Sequence, residues 1–220
     1  MLKLLLIACT FSLVSAQLLS GDYSQPATQS QTKGLKQNGY SAVVLRAAGP
    51  ISTFDTNLCH NALDALNAGL TTMIYVTPDP TKDPADLVTK LNDGLMRCGL
   101  TYHKWWLQVV RPDHWSATAA DNVKFIEAVI AKAKESKQLV GIYTSEGEWK
   151  KIVGDDYDIN NTAVPEDFNP LWYWSNSTVK NFDDFKPFSG WNGPLMKQFQ
   201  QGVTDQGIRL NRNIYASIFH

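Results

Sequence analysis

Between residues 18 and 144 of this 220-residue chain, short apolar runs alternate with amphipathic runs, and that alternation limits the fold more than any other feature. The apolar runs are Leu18–Tyr23, Ser41–Arg46, Thr71–Thr77, Lys104–Val110 and Leu139–Thr144. Ser41–Arg46 is nearly all apolar, as a strand buried on both faces requires. Between the runs the spacing becomes helical. Leu58, Ala62, Leu63 and Leu66 share one face of Asn57–Ala68, and Gly69 stops that helix. Asp83-Pro84 opens the next, a cap residue followed by proline at the first helical position. Leu87, Leu91 and Leu95 form its buried stripe and Gly99 closes it. Ser116 or Thr118 caps a longer helix with Val123, Ile126, Val129, Ile130 and Ala133 on its apolar face, and Trp149–Val153 reads as a short helical turn.

After that turn the pattern changes. Pro170–Trp174, Leu195–Phe199 and Gly207–Ile214 read as strands joined by loops rather than full helices. Five βα steps followed by three further strands predict an α/β fold, an irregular (β/α) TIM-like barrel. A full (β/α)₈ barrel usually takes about 250 residues, so this one economises on helices in its late part. An open doubly wound sheet would carry a Gly-rich turn after the first strand, but Gly21-Asp22-Tyr23-Ser24 has one glycine. Hydrophobic residues at 44% and charged residues at 19% exclude a disordered or fibrous chain. A formal charge of −1 argues against a nucleic-acid partner.

Residues 1–16 read as a secretory leader: a positive start at Lys3, an apolar stretch from Leu4 to Val14, and small residues Ser15 and Ala16 at the cleavage position. The apolar run is shorter than the roughly 20 residues that span a bilayer, and no other stretch spans one, so no membrane association is expected. Residues 17–220 then form a single extracellular domain, expected to be a monomer. It retains Cys59 and Cys98, and an oxidising compartment permits a disulfide. The barrel argues against the pairing. Cys59 starts one predicted helix and Cys98 ends the next, and parallel neighbours would set those ends about 20 Å apart. A disulfide needs Cα atoms within about 7 Å. The sequons at Asn160 and Asn176 are candidate glycosylation sites. His60, His103, His114 and His220 are scattered, and neither H-E-x-x-H nor C-x-x-C occurs, so no metal or other cofactor is expected.

In a barrel of this kind the functional site lies at the C-terminal ends of the strands. The residues there are Asp22, Arg46, Tyr75 to Thr77, Gln108 to Val110, Tyr143 to Glu146, Trp172 to Trp174, Gln198 and Asn211. The set is rich in aromatic and amide side chains, a combination that suits sugar rings with their apolar CH faces and many hydroxyls. All seven Trp lie beyond residue 104, and several fall in or near this set. Core packing accounts equally for large aromatics. Of Trp105 and Trp106, on opposite faces of one strand, at least one is expected in the core. Trp172 and Trp174 share a face by alternation, and there binding and core both fit. The candidate ligand-binding residues are therefore Asp22, Tyr75, Gln108, Tyr143, Trp172, Trp174, Gln198 and Asn211.

The order of motifs carries a family resemblance. Gly21-Asp22-x-Ser24 opens the series, and Gly39-Tyr40 precedes a Val-Val-Leu-Arg strand. Tyr75-Val-Thr-Pro78, Trp106-Leu-Gln-Val-Val110, Asn122-x-Lys-Phe-Ile126 and Val140-Gly-Ile-Tyr-Thr144 follow. Trp149-x-x-Ile-Val-Gly154, Pro170-Leu-Trp-Tyr-Trp174 and Phe182-x-x-Phe185-x-Pro187-Phe188-x-Gly190-Trp191 complete it. In this order and spacing the chain resembles the glycoside hydrolase family 25 lysozymes, in their invertebrate and amoeba-type branch. That resemblance implies a barrel of five βα units and three more strands. It also implies cleavage of the bond between muramic acid and glucosamine in bacterial peptidoglycan. It implies a cluster of acids: an Asp after the first strand, a D-x-E ending the fourth whose Glu donates the proton, and an Asp on the last strand.

Carried over residue by residue, Asp22 matches, the D-x-E positions read Gln108-Val109-Val110, and the last-strand Asp falls at about Asn211. No catalytic residue is assigned, and Asp22 is the one retained family acid. Glycoside hydrolysis needs a proton donor and a carboxylate or substrate amide to steady the oxocarbenium-like centre. Valine supplies neither, and an amide keeps hydrogen bonds without an acid. The expectation is a secreted lysozyme-family protein with impaired catalysis that binds peptidoglycan or an amino-sugar oligosaccharide, in antibacterial defence or digestion. Two alternatives stand beside it. One is an active muramidase using Glu146, Glu148 or Asp113 as a relocated acid, against a reading of all three as solvated loop or cap charges. The other is a secreted protein-interaction scaffold without sugar binding.

Overall fold

The computed structural model describes residues 17–50, 53–161 and 169–216, and the leader expected at 1–16 and Thr162 of the first sequon lie outside the described residues. Eight strands close into a barrel in sequence order. The first half repeats one unit five times: β1 (Gln17–Tyr23), α1 (Gln29–Gln37), β2 (Tyr40–Ala48), α2 (Asn57–Asn67), β3 (Thr71–Val76), α3 (Pro84–Arg97), β4 (Lys104–Gln108), α4 (Ala119–Glu135), β5 (Leu139–Thr144) and α5 (Glu146–Val153). Then β6 (Leu171–Trp174), β7 (Met196–Asp205) and β8 (Ile208–Ala216) follow without long helices between them. Strands β1 to β7 pair in parallel, while β8 runs antiparallel to both β7 and β1 and closes the barrel. This is the expected architecture.

Strand alternation splits the apolar residues into two layers. Inward-facing Ala42, Val44, Met73, Tyr75, Trp106, Tyr143, Trp172, Met196 and Tyr215 fill the barrel. Outward-facing residues such as Val43, Leu45, Ile74, Trp105, Leu107 and Ile142 pack under the helices. Trp105 and Trp106 are thus both core, one in each layer. Gly141 makes room for the second: a Cβ there would stand 2.5 Å from the Trp106 ring. The Trp172 ring meets Trp106 edge-on with centroids 5.7 Å apart and Tyr143 at 4.4 Å, so aromatic packing floors the upper barrel.

Helix α1 has no counterpart in the sequence reading, because Leu35 is its one large apolar residue. It is held instead by a capping box in which Thr28 and Gln31 bond each other's backbone N–H. Its outer neighbour is the tip of the β7–β8 hairpin: Asn38 Nδ2 and Tyr40 Oη donate to Asp205 at 2.7 and 3.0 Å. Arg212 donates to the same Asp205 at 2.8 Å. The hairpin therefore curls onto the outside of β1 and α1.

The disulfide corrects the expectation of separated cysteines. Cys59 and Cys98 are bonded, with Cα atoms 5.3 Å apart. Helix α2 lies across the end of α3 rather than beside it. Phe54, at the entry to α2, lies against Gly94 of α3, and Leu66, near the end of α2, lines one groove with Gly99 and Leu100. The argument from parallel neighbours fails because these two helices are not parallel.

Candidate functional site

Asp22 ends β1 facing inward, and it is 4% exposed. The antiparallel register sets Asp22 opposite Asn211 and Ser20 opposite Asn213, so two same-face asparagines of β8 flank the carboxylate. Asn213 lies in turn opposite Gln198 of β7. All three amides donate to Asp22: Gln198 Nε2 and Asn213 Nδ2 to Oδ1 at 3.0 and 2.9 Å, and Asn211 Nδ2 to Oδ2 at 2.8 Å. Burial pushes the Asp22 carboxyl up to about 6, with the three amide bonds pulling the other way. Asp22 is thus tied to β7 and β8, and its carboxylate is not spent on capping the turn at Ser24.

The network runs on into the barrel. Tyr143 Oη and Gln201 Nε2 donate to Gln198 Oε1 at 2.9 and 2.7 Å. Burial raises the Tyr143 hydroxyl well above its ordinary range, and the negative charges of Asp22 and Glu148 add to the shift. Tyr75 is raised for the same first reason, with the charge of Asp22 next. Both phenols therefore stay protonated donors at neutral pH.

A cleft of about 570 Å³ opens beside Asp22. Tyr75, Ser24 and Gln25 line one side, and Gln201, Gly202, Arg209 and Asn211 of the β7–β8 hairpin line the other. Of the residues expected to bind ligand, Asp22, Tyr75 and Asn211 line this cleft. Gln198 and Tyr143 stand behind Asp22 as its support. Trp172 is fully buried and donates from Nε1 to Asn213 Oδ1 at 3.0 Å, so it holds the floor and offers no face to a ligand. Gln108 is half-buried, and its Oε1 accepts from Thr77 Oγ1 at 2.6 Å. Val110 packs against the inward cluster. Arg46, also at a strand end, is paired with Asp55 at 2.8 Å.

The three acids beyond β4 and β5 behave differently from one another. Asp113 is exposed beside His114, and Glu146 is exposed and paired with Lys150 at 2.8 Å, as solvated loop and helix charges. Glu148 departs from that reading. Its Oε1 accepts from the backbone N–H of Arg111 at 2.8 Å. Its Oε2 accepts from Trp174 Nε1 at 2.6 Å and Ser145 Oγ at 3.2 Å. A single carboxylate thus joins the start of α5, the chain leaving β4 and the end of β6. Trp174 is half-buried on that side, away from the Asp22 cleft, and lines a second recess with Ser145, Asn176 and Phe185. The sequence reading passed over Asn213 and Arg209, although alternation from Asn211 points to both. Among the described residues no cluster of three His, Cys, Asp or Glu is placed to hold a metal.

The eight-stranded barrel of five βα units and three further strands is the fold of the solved GH25 lysozymes. The profile of the Lysozyme-like protein 1 family matches residues 15–199, and the chain belongs to that family of lysozyme-like proteins. It is 36% identical to "Lysozyme-like protein 7" of Caenorhabditis elegans, over 86% of this chain and 69% of that one. It is 32% identical to "Probable GH family 25 lysozyme 5" of Dictyostelium discoideum, over 88% of each chain. The solved family GH25 lysozyme from Aspergillus fumigatus superposes with a TM-score of 0.72 at 14% identity, covering 92% of this chain and 95% of that one, which is a likeness of fold.

Proposed function

We propose that this chain is a secreted binder of amino-sugar glycan, with bacterial peptidoglycan as its first ligand, in which hydrolysis is impaired at the end of β4. Its role is antibacterial defence or digestion. The names of its relatives, lysozymes and lysozyme-like proteins, point to the glycan. The observation that carries the reading is the distribution of acid. One buried carboxylate, Asp22, faces the cleft in a cage of three amides. The inward positions ending β4 hold Gln108 and Val110, neither of which can donate a proton to a glycosidic oxygen. Asp22 can be the acid or the charged stabiliser, but it cannot be both in one step. Amides and a carboxylate lining a polar cleft still match the hydroxyl and acetamido groups of such sugars.

The active-muramidase reading has one observation in its favour: Glu148 reaches the N–H of Arg111, the residue after Val110. Three donors already occupy that carboxylate, which suits a clamp better than an acid. The test pairs two measurements on the chain from Gln17 onward. Calorimetric titration with soluble peptidoglycan fragments should give saturable heat, while new reducing ends stay at the buffer level. No binding heat at any concentration would leave the scaffold reading. Release of reducing ends that Glu148→Gln abolishes would establish the muramidase reading instead.

A further inference from the structure

The outer part of the β7–β8 hairpin carries a cation, Arg209, whose guanidinium has no hydrogen-bond acceptor among the described residues. Alternation along β8 sets Arg209, Asn211 and Asn213 on one face and Ile208, Leu210 and Arg212 on the other. Asn211 and Asn213 use their face to reach Asp22. On the opposite face Ile208 and Leu210 are buried under α1 and β2, and Arg212 is fully engaged. It donates to Tyr40 Oη at 2.8 Å, to Gln200 Oε1 at 3.2 Å and to Asp205 at 2.8 Å. Arg209 is exposed, two residues outward from Asn211, and lines the mouth of the cleft with Gln201 and Gly202.

Its backbone N–H donates to Gln25 Oε1 at 3.4 Å. Its guanidinium lies over Gly202, where a Cβ would come within 3.4 Å of Nη2. Among the described residues no acceptor bonds that guanidinium, whereas the arginine three residues on has three. The two arginines sit on one strand, so the difference comes from the face each one occupies. A guanidinium is a planar fork of donors that matches a carboxylate two bonds at a time. Neutral sugar hydroxyls and acetamides can be met by neutral amides such as Gln201 and do not need a cation.

We propose that Arg209 is a specificity residue that recognises a carboxylate borne by the glycan. The cleft then selects a muramyl glycan over a neutral N-acetylglucosamine oligomer. This inference rests on the reading of the cleft as a glycan site. Lactyl carboxylates on muramic acid, or the carboxylates of its peptide stem, would enter from the hairpin side while the sugar ring lies over Asp22 and Tyr75.

Calorimetric titration of the chain with two probes tests it: a glucosaminyl-muramic acid tetrasaccharide with free lactyl carboxylates, and chitotetraose. The muramyl probe should bind about tenfold tighter, the scale of one exposed charge-assisted contact. Arg209→Ala should remove that preference and leave chitotetraose affinity within about twofold. Arg209→Lys should restore part of it, since an ammonium has the charge without the fork. Esterified lactyl groups should bring the muramyl probe down to chitotetraose. Equal binding of the two probes by the natural chain, or equal weakening of both by Arg209→Ala, overturns the assignment while the glycan site stands. Binding of neither probe overturns the glycan site itself.

Discussion

The two walls of the barrel mouth are built by the same alternation and end in opposite chemistry. On the wall of β1, β7 and β8, a carboxylate is buried because neighbouring strands bring it three amide donors at once. The antiparallel β8 makes this cheap: Asn211 and Asn213 are two residues apart and so share one face opposite Asp22. On the wall of β4, β5 and β6, the inward positions carry Gln108, Val110, Tyr143 and Trp174, and the carboxylate bonded to Trp174, Glu148, comes from a helix. A buried charge persists only where donors converge on it. The first wall supplies them from strands. The second ties its acid to a backbone N–H, an indole and a serine at the rim, where it holds three chain segments together.

The sharpest way to break this comparison is to give the second wall its acids. Gln108→Asp with Val110→Glu places two carboxylates at the end of β4, facing Asp22 across the mouth. Reducing-end release from purified peptidoglycan should rise about 10²-fold or more over the natural chain, the lower range of what general acid catalysis contributes. No gain, in a variant that still binds the glycan, would mean that the deficiency lies elsewhere than in β4.

The first wall is tested by pH. Asp22 moves from 3.8 to about 6 on folding, so the folded chain binds its proton more tightly than the unfolded one. Stability must then fall as pH rises from about 4 to about 6 and stay lowered above that. Two pKa units correspond to about 3 kcal/mol. Denaturant unfolding of the natural chain and of Asp22→Asn, each at pH 4 and pH 7, isolates this contribution from every other titrating group. The natural chain should lose about 2 kcal/mol relative to the variant over that interval, since part of the change already lies below pH 4. Parallel pH profiles would show that the amide cage fully offsets burial.

How far the sequence announced these walls depends on how local each signal is. The five strands of the βα units were legible because strands buried on both faces read as unbroken apolar runs, as in Ser41–Arg46. Helix α1 was illegible by periodicity with Leu35 alone, although its Thr28-x-x-Gln31 capping box was there to read. The strand ends led to Asp22, Gln198 and Asn211, which the structure joins in one network. The burial of Trp172 was not legible, because alternation gives a side chain's face and not its depth. The disulfide was misjudged because the crossing of α2 over α3 is set by tertiary packing. Glu148 was misjudged for a related reason: its partners Arg111 and Trp174 are 37 and 26 residues away.

Helix α5 offers the smallest and most controlled test, because it carries two glutamates in one turn with different surroundings. Glu146 is exposed and faces Lys150, a surface pair one helical turn apart. Glu148 is half-buried and accepts from the Arg111 N–H, which belongs to a residue in the left-handed region at φ 56°. Glu148→Ala leaves that N–H and the Trp174 indole without their acceptor. Hydrogen bonds to a charged group contribute about 1.5–3 kcal/mol each, and solvent access at the rim reduces the loss to about 1–2 kcal/mol in total. Glu148→Gln can still accept from the indole, so it should recover part of the loss, while its NH₂ faces the Arg111 N–H donor to donor. Glu146→Ala should leave the unfolding midpoint unchanged. The readout that separates a clamp from a mere stabiliser is the near-ultraviolet signal of Trp174, taken as the difference from Trp174→Phe. It should change in Glu148→Ala and persist in Glu146→Ala. If both variants keep the signal and the midpoint, the second wall does not depend on its carboxylate, and the contrast between the walls reduces to Asp22 alone.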